Sequence, residues 1–257
     1  MDERAASFLR LLKIMDELRE KCPWDKKQTI ESIRHLTIEE TFELSDAILK
    51  NDLNEIKKEL GDIFLHIVFY SRIASETNAF NIKDVMDALC EKLIFRHPHI
   101  YGDVKAETEE QVKQNWEQLK QKEKGGNKTV LSGVPNSMPA LLKAYRIQEK
   151  ARAVGFDWEQ PEQVYEKVKE ELDEFEQEVK NKNSQAAEKE FGDILFSLIN
   201  YARFMNINPE DALEQTNQKF IKRFNHMEKR VKDQGKQIAD CKLSELDEYW
   251  NEAKKLN

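Results

Sequence analysis

Glu40, Glu43, Glu59 and Asp62 recur as Glu171, Glu174, Glu190 and Asp193, every one displaced by 131 residues. No other feature restricts the fold as much, because a repeated, spaced set of acidic residues calls for two similar structural units. The same displacement takes Glu39 to Glu170, Asp52 to Asn183, Gly61 to Gly192, Tyr70 to Tyr201 and Arg72 to Arg203. Upstream, Leu11-Leu12-Lys13 matches Leu141-Leu142-Lys143, and Pro23-Trp24-Asp25 matches Gly155-Phe156-Asp157. Downstream, Lys92 and Arg96 match Lys219 and Arg223, while Trp116 and Lys120 match Trp250 and Lys254, with offsets that drift by a few residues. The chain is a tandem duplication.

Each copy reads as helical. The 257 residues include only 8 Gly and 6 Pro, and Gly61 alone interrupts Thr37 to Phe95, as Gly192 alone interrupts Glu162 to Asn208. Sheets require turns far more often. Helical spacing shows in Phe8, Leu11, Leu12, Met15 and Leu18, and again in Leu60, Phe64, Ile67 and Val68. Asp52 with Glu55 three residues later predicts a capping box opening a helix that continues through Arg72. The stretch from Gly125 to Pro139 holds three of the glycines and two of the prolines and reads as a linker. The expectation is an all-α protein of two tandem domains, 1–124 and 139–257, joined by residues 125–138. Four to six helices should precede the linker and four or five follow it.

Charge narrows the function classes. Forty-one basic and 49 acidic residues leave a net charge of −8, which argues against coating a nucleic-acid duplex through phosphate neutralisation. No run approaches the ~20 apolar residues of a membrane span; the longest, Ile63 to Tyr70, is broken by His66. The first residues, MDERAASF, lack the apolar core of a signal peptide. Cys22, Cys90 and Cys241 form no CxxC pair, which suits a reducing cytoplasm and buried thiols rather than zinc fingers.

Each copy contains E-E-x-x-E, a 15-residue gap, then E-x-x-D. Residues three apart share a helix face, so two antiparallel helices would converge four carboxylates. Like charges held together raise one another's pKa unless a cation neutralises them. All-oxygen ligation favours Mg²⁺, with Mn²⁺ as a substitute, over zinc. Solvated surface is the usual reading of one isolated E-x-x-E, but drift would scramble that spacing in two copies. Gly61 and Gly192 persist too, although glycine inside a helix costs ~1 kcal/mol relative to alanine; close approach of a neighbouring helix or of bound phosphate would explain them. Such a site suits phosphoryl chemistry, with Lys92 and Arg96, or Lys219 and Arg223, as cationic contacts and Trp250 as an aromatic face.

With CPWDKKQT near the start, RHPH in the middle and VGFDW opening the second half, the duplicated signature resembles the MazG nucleoside triphosphate pyrophosphohydrolases along essentially the whole chain. The resemblance implies four-helix-bundle-like domains and a homodimer. It also implies Mg²⁺-dependent hydrolysis of NTPs and dNTPs to NMP and pyrophosphate, associated with nucleotide-pool housecleaning. Carried over by position, Glu171, Glu174, Glu190 and Asp193 would be metal ligands, with Glu40, Glu43, Glu59 and Asp62 as a second set. Lys167, Lys189, Lys219, Arg223, Trp250 and Lys254 would contact nucleotide. Glu170, Glu171 and Glu174 are the candidate catalytic carboxylates, and Glu170 is the candidate base outside the ligand set. The second half is favoured for catalysis because Lys167 precedes Glu171 by one turn where the first copy has Leu36; Ala186, at a position where the family can carry a lysine, cuts the other way.

Two other classes compete. A di-iron carboxylate bundle wants E-x-x-H pairs, whereas His66 follows Asp62 by four and its repeat partner is Ser197. A non-catalytic nucleotide sensor or partner-binding scaffold would keep the metal site without turnover. His97-Pro-His99 reads as a turn at a helix end.

Overall fold

The computed structural model describes residues 2–106, 108, 111–112, 115–116, 119–120 and 129–256. Ten α-helices account for most of them, and no strand occurs among the described residues. The chain forms two compact units, Met1–Val112 and Lys113–Asn257. Of the expected linker, residues 125–128 lie outside the described residues, and 129–138 run through turns and bends.

The first unit comprises α1 (Glu3–Lys21), α2 (Ile30–Leu49), α3 (Leu53–Ser75), α4 (Ile82–Arg96) and α5 (Pro98–Tyr101). Its core joins Met15 of α1, Ile33 of α2, and Val68 and Phe69 of α3, with Phe8, Leu11, Leu12 and Leu36 packed around them. The spacing of Phe8, Leu11, Leu12 and Met15 therefore marks the face of α1 that meets the α2–α3 hairpin. Burying each such side chain contributes roughly 1.5–3 kcal/mol. Chain direction reverses between α2 and α3 within Lys50–Asp52. Asn51 takes the left-handed conformation at φ 54, its N–H donates to Ile48 O, and the N–H of Asp52 donates to Ala47 O, each at 3.0 Å. This is the pattern that closes a helix through a left-handed residue.

That closure corrects the expected capping box. The Asp52 carboxylate does accept from the N–H groups of Asn54 and Glu55 at 3.0 and 3.2 Å. Its own N–H is already used to close α2, so the reciprocal half of the box has no donor.

The second unit comprises α6 (Ala140–Arg152), α7 (Pro161–Lys180), α8 (Ser184–Phe204), α9 (Pro209–Asp233) and α10 (Leu243–Lys255). Val164 and Val168 of α7 and Ile194 and Ile199 of α8 are buried. A separate apolar cluster of Met227, Val231 and Tyr249 joins α9 to α10. The α7–α8 turn repeats the first in detail: Lys182 sits at φ 57, and the Asn183 N–H donates to Glu178 O at 3.0 Å. Asn183 then caps α8 by accepting from the Ala186 N–H at 3.3 Å. Identical turns give the two copies the same register between acidic residues.

Two further expectations are corrected. A Cβ added at Gly61 or Gly192 would meet no atom within 4 Å, so no neighbouring helix among the described residues requires either glycine. None of the cysteines is buried: Cys90 is exposed and Cys22 and Cys241 are partly so. Cys22 caps α1, Cys241 ends a short 3-10 turn, and α4, which carries Cys90, has no buried residue at all. Leu60, Phe64, Ile67 and Val68 all lie on α3, as their spacing predicts; Val68 is buried while Leu60, Phe64 and Ile67 remain 52%, 41% and 39% exposed. His97 ends α4, as expected, but Pro98 and His99 open the four-residue helix α5 in place of a simple turn.

Candidate metal centre

The two hairpins each gather glutamates. In the second unit, Glu171 and Glu174 stand one turn apart on α7, and Glu190 faces them from α8; one carboxylate oxygen from each lies within 4.8 Å of the others. Glu40 and Glu43 of α2 and Glu59 of α3 repeat the arrangement in the first unit. Asp62 and Asp193 lie outside these tight groups, one turn along α3 and α8, yet close enough for their charge to act on Glu40 and Glu190 respectively.

Burial and repulsion shape the electrostatics. Burial is the first cause raising the Glu40 carboxyl above its ordinary value, followed by the charges of Asp62, Glu43 and Glu59. Burial also leads in raising Glu190, followed by Glu174, Asp193, Glu171 and Glu178. Glu59 is only 3% exposed, and its Oε2 has no hydrogen-bond partner among the described residues. A buried carboxylate oxygen without a partner is costly, and it faces a set composed only of carboxylates. An orphaned anionic oxygen in an all-oxygen donor set fits a hard divalent cation.

Lysines offset part of the charge, from different positions in the two copies. Lys167 Nζ donates to Glu170 Oε1 at 2.8 Å and lies 2.9 Å from Glu171 Oε1. Both contacts raise the Lys167 pKa above the ordinary lysine value. Its repeat partner, Leu36, packs against the core of the first unit. There Lys58 does the corresponding work, 3.0 Å from Glu59 Oε1 and 3.4 Å from Glu55 Oε2. Lys58 was not singled out in the sequence, although it corresponds to Lys189, which is exposed on α8 beside Glu190.

The remaining expected residues form a second grouping. Lys219 and Arg223 lie on α9, and Trp250 and Lys254 on α10. The Phe220 and Trp250 rings join the two helices with centroids 5.0 Å apart. Arg223 Nε is buried without a hydrogen-bond partner among the described residues, and Lys254 donates to Asn251 Oδ1 at 3.1 Å. Among the described residues no ion pair links this grouping to the carboxylates. His66 belongs to neither acidic group; it is buried on α3, its ring T-shaped against that of Tyr70.

The motif Gly155-Phe156-Asp157 has a structural role that spacing did not reveal. The buried Arg203 donates from Nη1 to Asp157 Oδ2 at 3.0 Å. In the first copy the Asp25 backbone carbonyl instead accepts from Arg19, and Arg72 turns to Asp16 and Glu76 at 2.7 and 3.0 Å.

Comparison with known proteins identifies the family of the chain. The MazG nucleotide pyrophosphohydrolase domain matches residues 28–101 and again 159–228. The nucleoside triphosphate pyrophosphohydrolase/pyrophosphatase MazG of Thermotoga maritima is 45% identical over 99% of this chain and 98% of its own length. A nucleoside triphosphate pyrophosphohydrolase of Escherichia coli K12 is 39% identical over 96% of each chain. An uncharacterized protein of Bacillus subtilis, YabN, is 44% identical over 96% of this chain and 51% of its own length. With a MazG domain in each copy and relatives aligned from end to end, the chain belongs to the MazG nucleotide pyrophosphohydrolase family.

Proposed function

We propose that this chain hydrolyses nucleoside and deoxynucleoside triphosphates between the α and β phosphorus, releasing the monophosphate and pyrophosphate, and serves nucleotide-pool housecleaning. The observation that carries the reading is the pair of three-glutamate clusters in a chain matching pyrophosphohydrolases along nearly its whole length. Glu171, Glu174 and Glu190, with Asp193 one turn further, would hold Mg²⁺ in the second unit. Bound there, the ion would screen phosphate oxygens and acidify water.

The chain's own groups then divide the remaining work. Lys167 is held by Glu170 and Glu171. With Mg²⁺ held at the cluster, the Lys167 ammonium would be available to a phosphate oxygen, and Glu170, no longer tied to it, would accept a proton from the attacking water. Lys189, Lys219, Arg223 and Lys254 offer further positive charge to the leaving pyrophosphate, and Trp250 offers an aromatic face. The Arg223 Nε–H, unused among the described residues, supports a role for that side chain in binding an anion. The second unit is favoured for turnover because Leu36, at the place of Lys167, is committed to the core.

A homodimer is supported by apolar residues left exposed at matching positions of the two copies, Phe64 and Ile67 in the first and Leu195 and Leu198 in the second. Stripes of this kind mark protein interfaces. Among the described residues no helix is long and apolar enough to cross a membrane.

The test uses wild type, Glu40→Gln/Glu43→Gln and Glu171→Gln/Glu174→Gln, incubated with NTPs and dNTPs with and without Mg²⁺. Monophosphate and pyrophosphate are quantified. Turnover that survives the first pair of changes and is lost with the second is expected. Loss with the first pair alone would move the chemistry to the first unit. Mg²⁺-dependent binding without turnover by wild type would make the protein a nucleotide sensor.

A further inference from the structure

The two acidic clusters differ in how their buried glutamate is partnered. In the second unit that residue is Glu171, 7% exposed, and the Lys167 ammonium lies 2.9 Å from its Oε1 on the same helix. In the first unit it is Glu59, 3% exposed, on α3 and opposite the other two glutamates. Lys58 holds Glu59 Oε1 at 3.0 Å from a side chain that is 60% exposed and shared with Glu55. Glu59 Oε2 has no partner among the described residues, and the cluster sets the carboxylates of Glu40 and Glu43 beside that residue. Leu36, at the place of Lys167, is committed to the core and brings no charge. The first cluster therefore keeps a buried anionic oxygen that no ammonium answers, a costly state for a carboxylate. Among the described residues, no carboxylate oxygen of the second cluster is left in that way.

The half of the α2–α3 hairpin that carries this cluster is also short of apolar packing. Of the described residues between Glu40 and Leu60, Ala47 and Glu59 alone are buried, while Phe42, Ile48 and Leu53 are 62%, 56% and 74% exposed. The core of the unit, Ile33 with Val68 and Phe69, lies toward the other end of the hairpin. In the second copy the Phe175 and Phe191 rings, with centroids 5.7 Å apart, bridge the corresponding half beside a groove of about 500 Å³. Leu44 and Leu60 take those positions in the first copy. An ion shared by Glu40 and Glu43 of α2 and Glu59 of α3 would cross-link the two helices where side-chain packing does little. Carboxylate oxygens from both sides suit Mg²⁺ or Mn²⁺.

We infer that Glu40, Glu43 and Glu59 bind a divalent cation in the absence of nucleotide, and that this ion is structural, tying α2 to α3 in the first unit. The site goes beyond the proposed reaction, whose ion lies in the second unit, and does not depend on it. An ion that binds the folded chain alone stabilises that state by mass action, which gives the first set of glutamates a use apart from turnover.

The test uses the full chain without nucleotide, in a Glu171→Gln/Glu174→Gln parent that silences the second cluster. Mn²⁺ binding is followed by electron paramagnetic resonance, and urea midpoints are measured in Mg²⁺ and in EDTA. The parent should bind one Mn²⁺ and unfold at higher urea in Mg²⁺ than in EDTA. Adding Glu59→Gln should abolish both effects while leaving the EDTA midpoint equal or higher, because a neutral amide no longer buries a charge. Adding Glu43→Gln instead, at an exposed position that does not endanger folding, should weaken Mn²⁺ binding by about tenfold or more. A Glu40→Gln/Glu43→Gln chain, which keeps the second cluster alone, should bind Mn²⁺ about fivefold more weakly than the parent, since Lys167 must be displaced. Failure of the parent to bind Mn²⁺, a midpoint indifferent to Mg²⁺, or equal affinities of the two clusters would overturn the inference. So would a Glu59→Gln chain that keeps its Mn²⁺ and loses stability in EDTA, which would reduce Glu59 to a partner of Lys58. No measurement here reads turnover, so failure of the proposed reaction would show separately.

Discussion

Lys167 Nζ lies 2.9 Å from Glu171 Oε1 across one turn of α7, whereas the other copy neutralises its cluster from the opposite helix, through Lys58 and Glu59. A cation entering the second cluster must therefore displace an internal ammonium. In a Glu40→Gln/Glu43→Gln background, which silences the first cluster, Lys167→Met should tighten Mn²⁺ binding by about two- to fivefold, the worth of a partly exposed ion pair. The same change should weaken nucleotide binding. A Mn²⁺ titration followed by electron paramagnetic resonance reads the first effect, and unchanged or weaker metal affinity would sink it.

Gly61 and Gly192 sit inside helices with open space where a Cβ would go. Replacing either by alanine should raise stability by about 0.4–1 kcal/mol, measured by urea unfolding. If Gly192→Ala stabilises the fold yet abolishes turnover, the open face is needed by a phosphate or a partner copy. If stability falls, the helical geometry at these positions is not as described.

Arg203 is 6% exposed and its best partner outside its own helix is Asp157. Removing one member of a buried pair leaves the other charge uncompensated. Asp157→Asn should cost about 3 kcal/mol in the second unit. The corresponding Asp25→Asn should cost little, because Arg19 contacts the backbone carbonyl at that position. Equal losses in the two variants would contradict the different wiring of the copies.

Acid should unlock the first unit through Glu76. Arg19 donates to both of its carboxylate oxygens, at 2.8 and 2.9 Å, and holds its pKa below the ordinary value; the Arg72 charge adds to this. A depressed folded-state pKa means that the unfolded chain binds the proton first as pH falls. The stabilisation is thus complete above an ordinary glutamate pKa of about 4.3 and drains away as pH drops through the lowered folded value. Urea midpoints taken from pH 7 to pH 3 should fall more steeply for wild type than for Glu76→Gln. Parallel slopes would count against the linkage.

The α2–α3 and α7–α8 hairpins show why so much of the fold could be read directly. Helical periodicity, the capping residues Asp52 and Asn183 and the spacing of the glutamates are local properties. Each depends on residues within a turn or two of one another, and the duplication states each of them twice. The same locality explains the misjudged details. Whether Asp52 has a free N–H depends on the left-handed Asn51 before it, and whether Cys90 is buried depends on what α4 meets.

The sequence by itself determined two copies, all helical, each bringing glutamates from two facing helices into one place, and it pointed to the MazG family. Only the tertiary structure decided which lysine quenches each cluster, that Leu60, Phe64 and Ile67 stay exposed, that Arg203 reaches back to Asp157, and that a groove opens beside Phe175 and Phe191. The reason is physical. Backbone helicity follows from neighbours along the chain, whereas burial, ion pairing and empty volume depend on the distance between side chains far apart in sequence, and that distance exists only once the helices have packed.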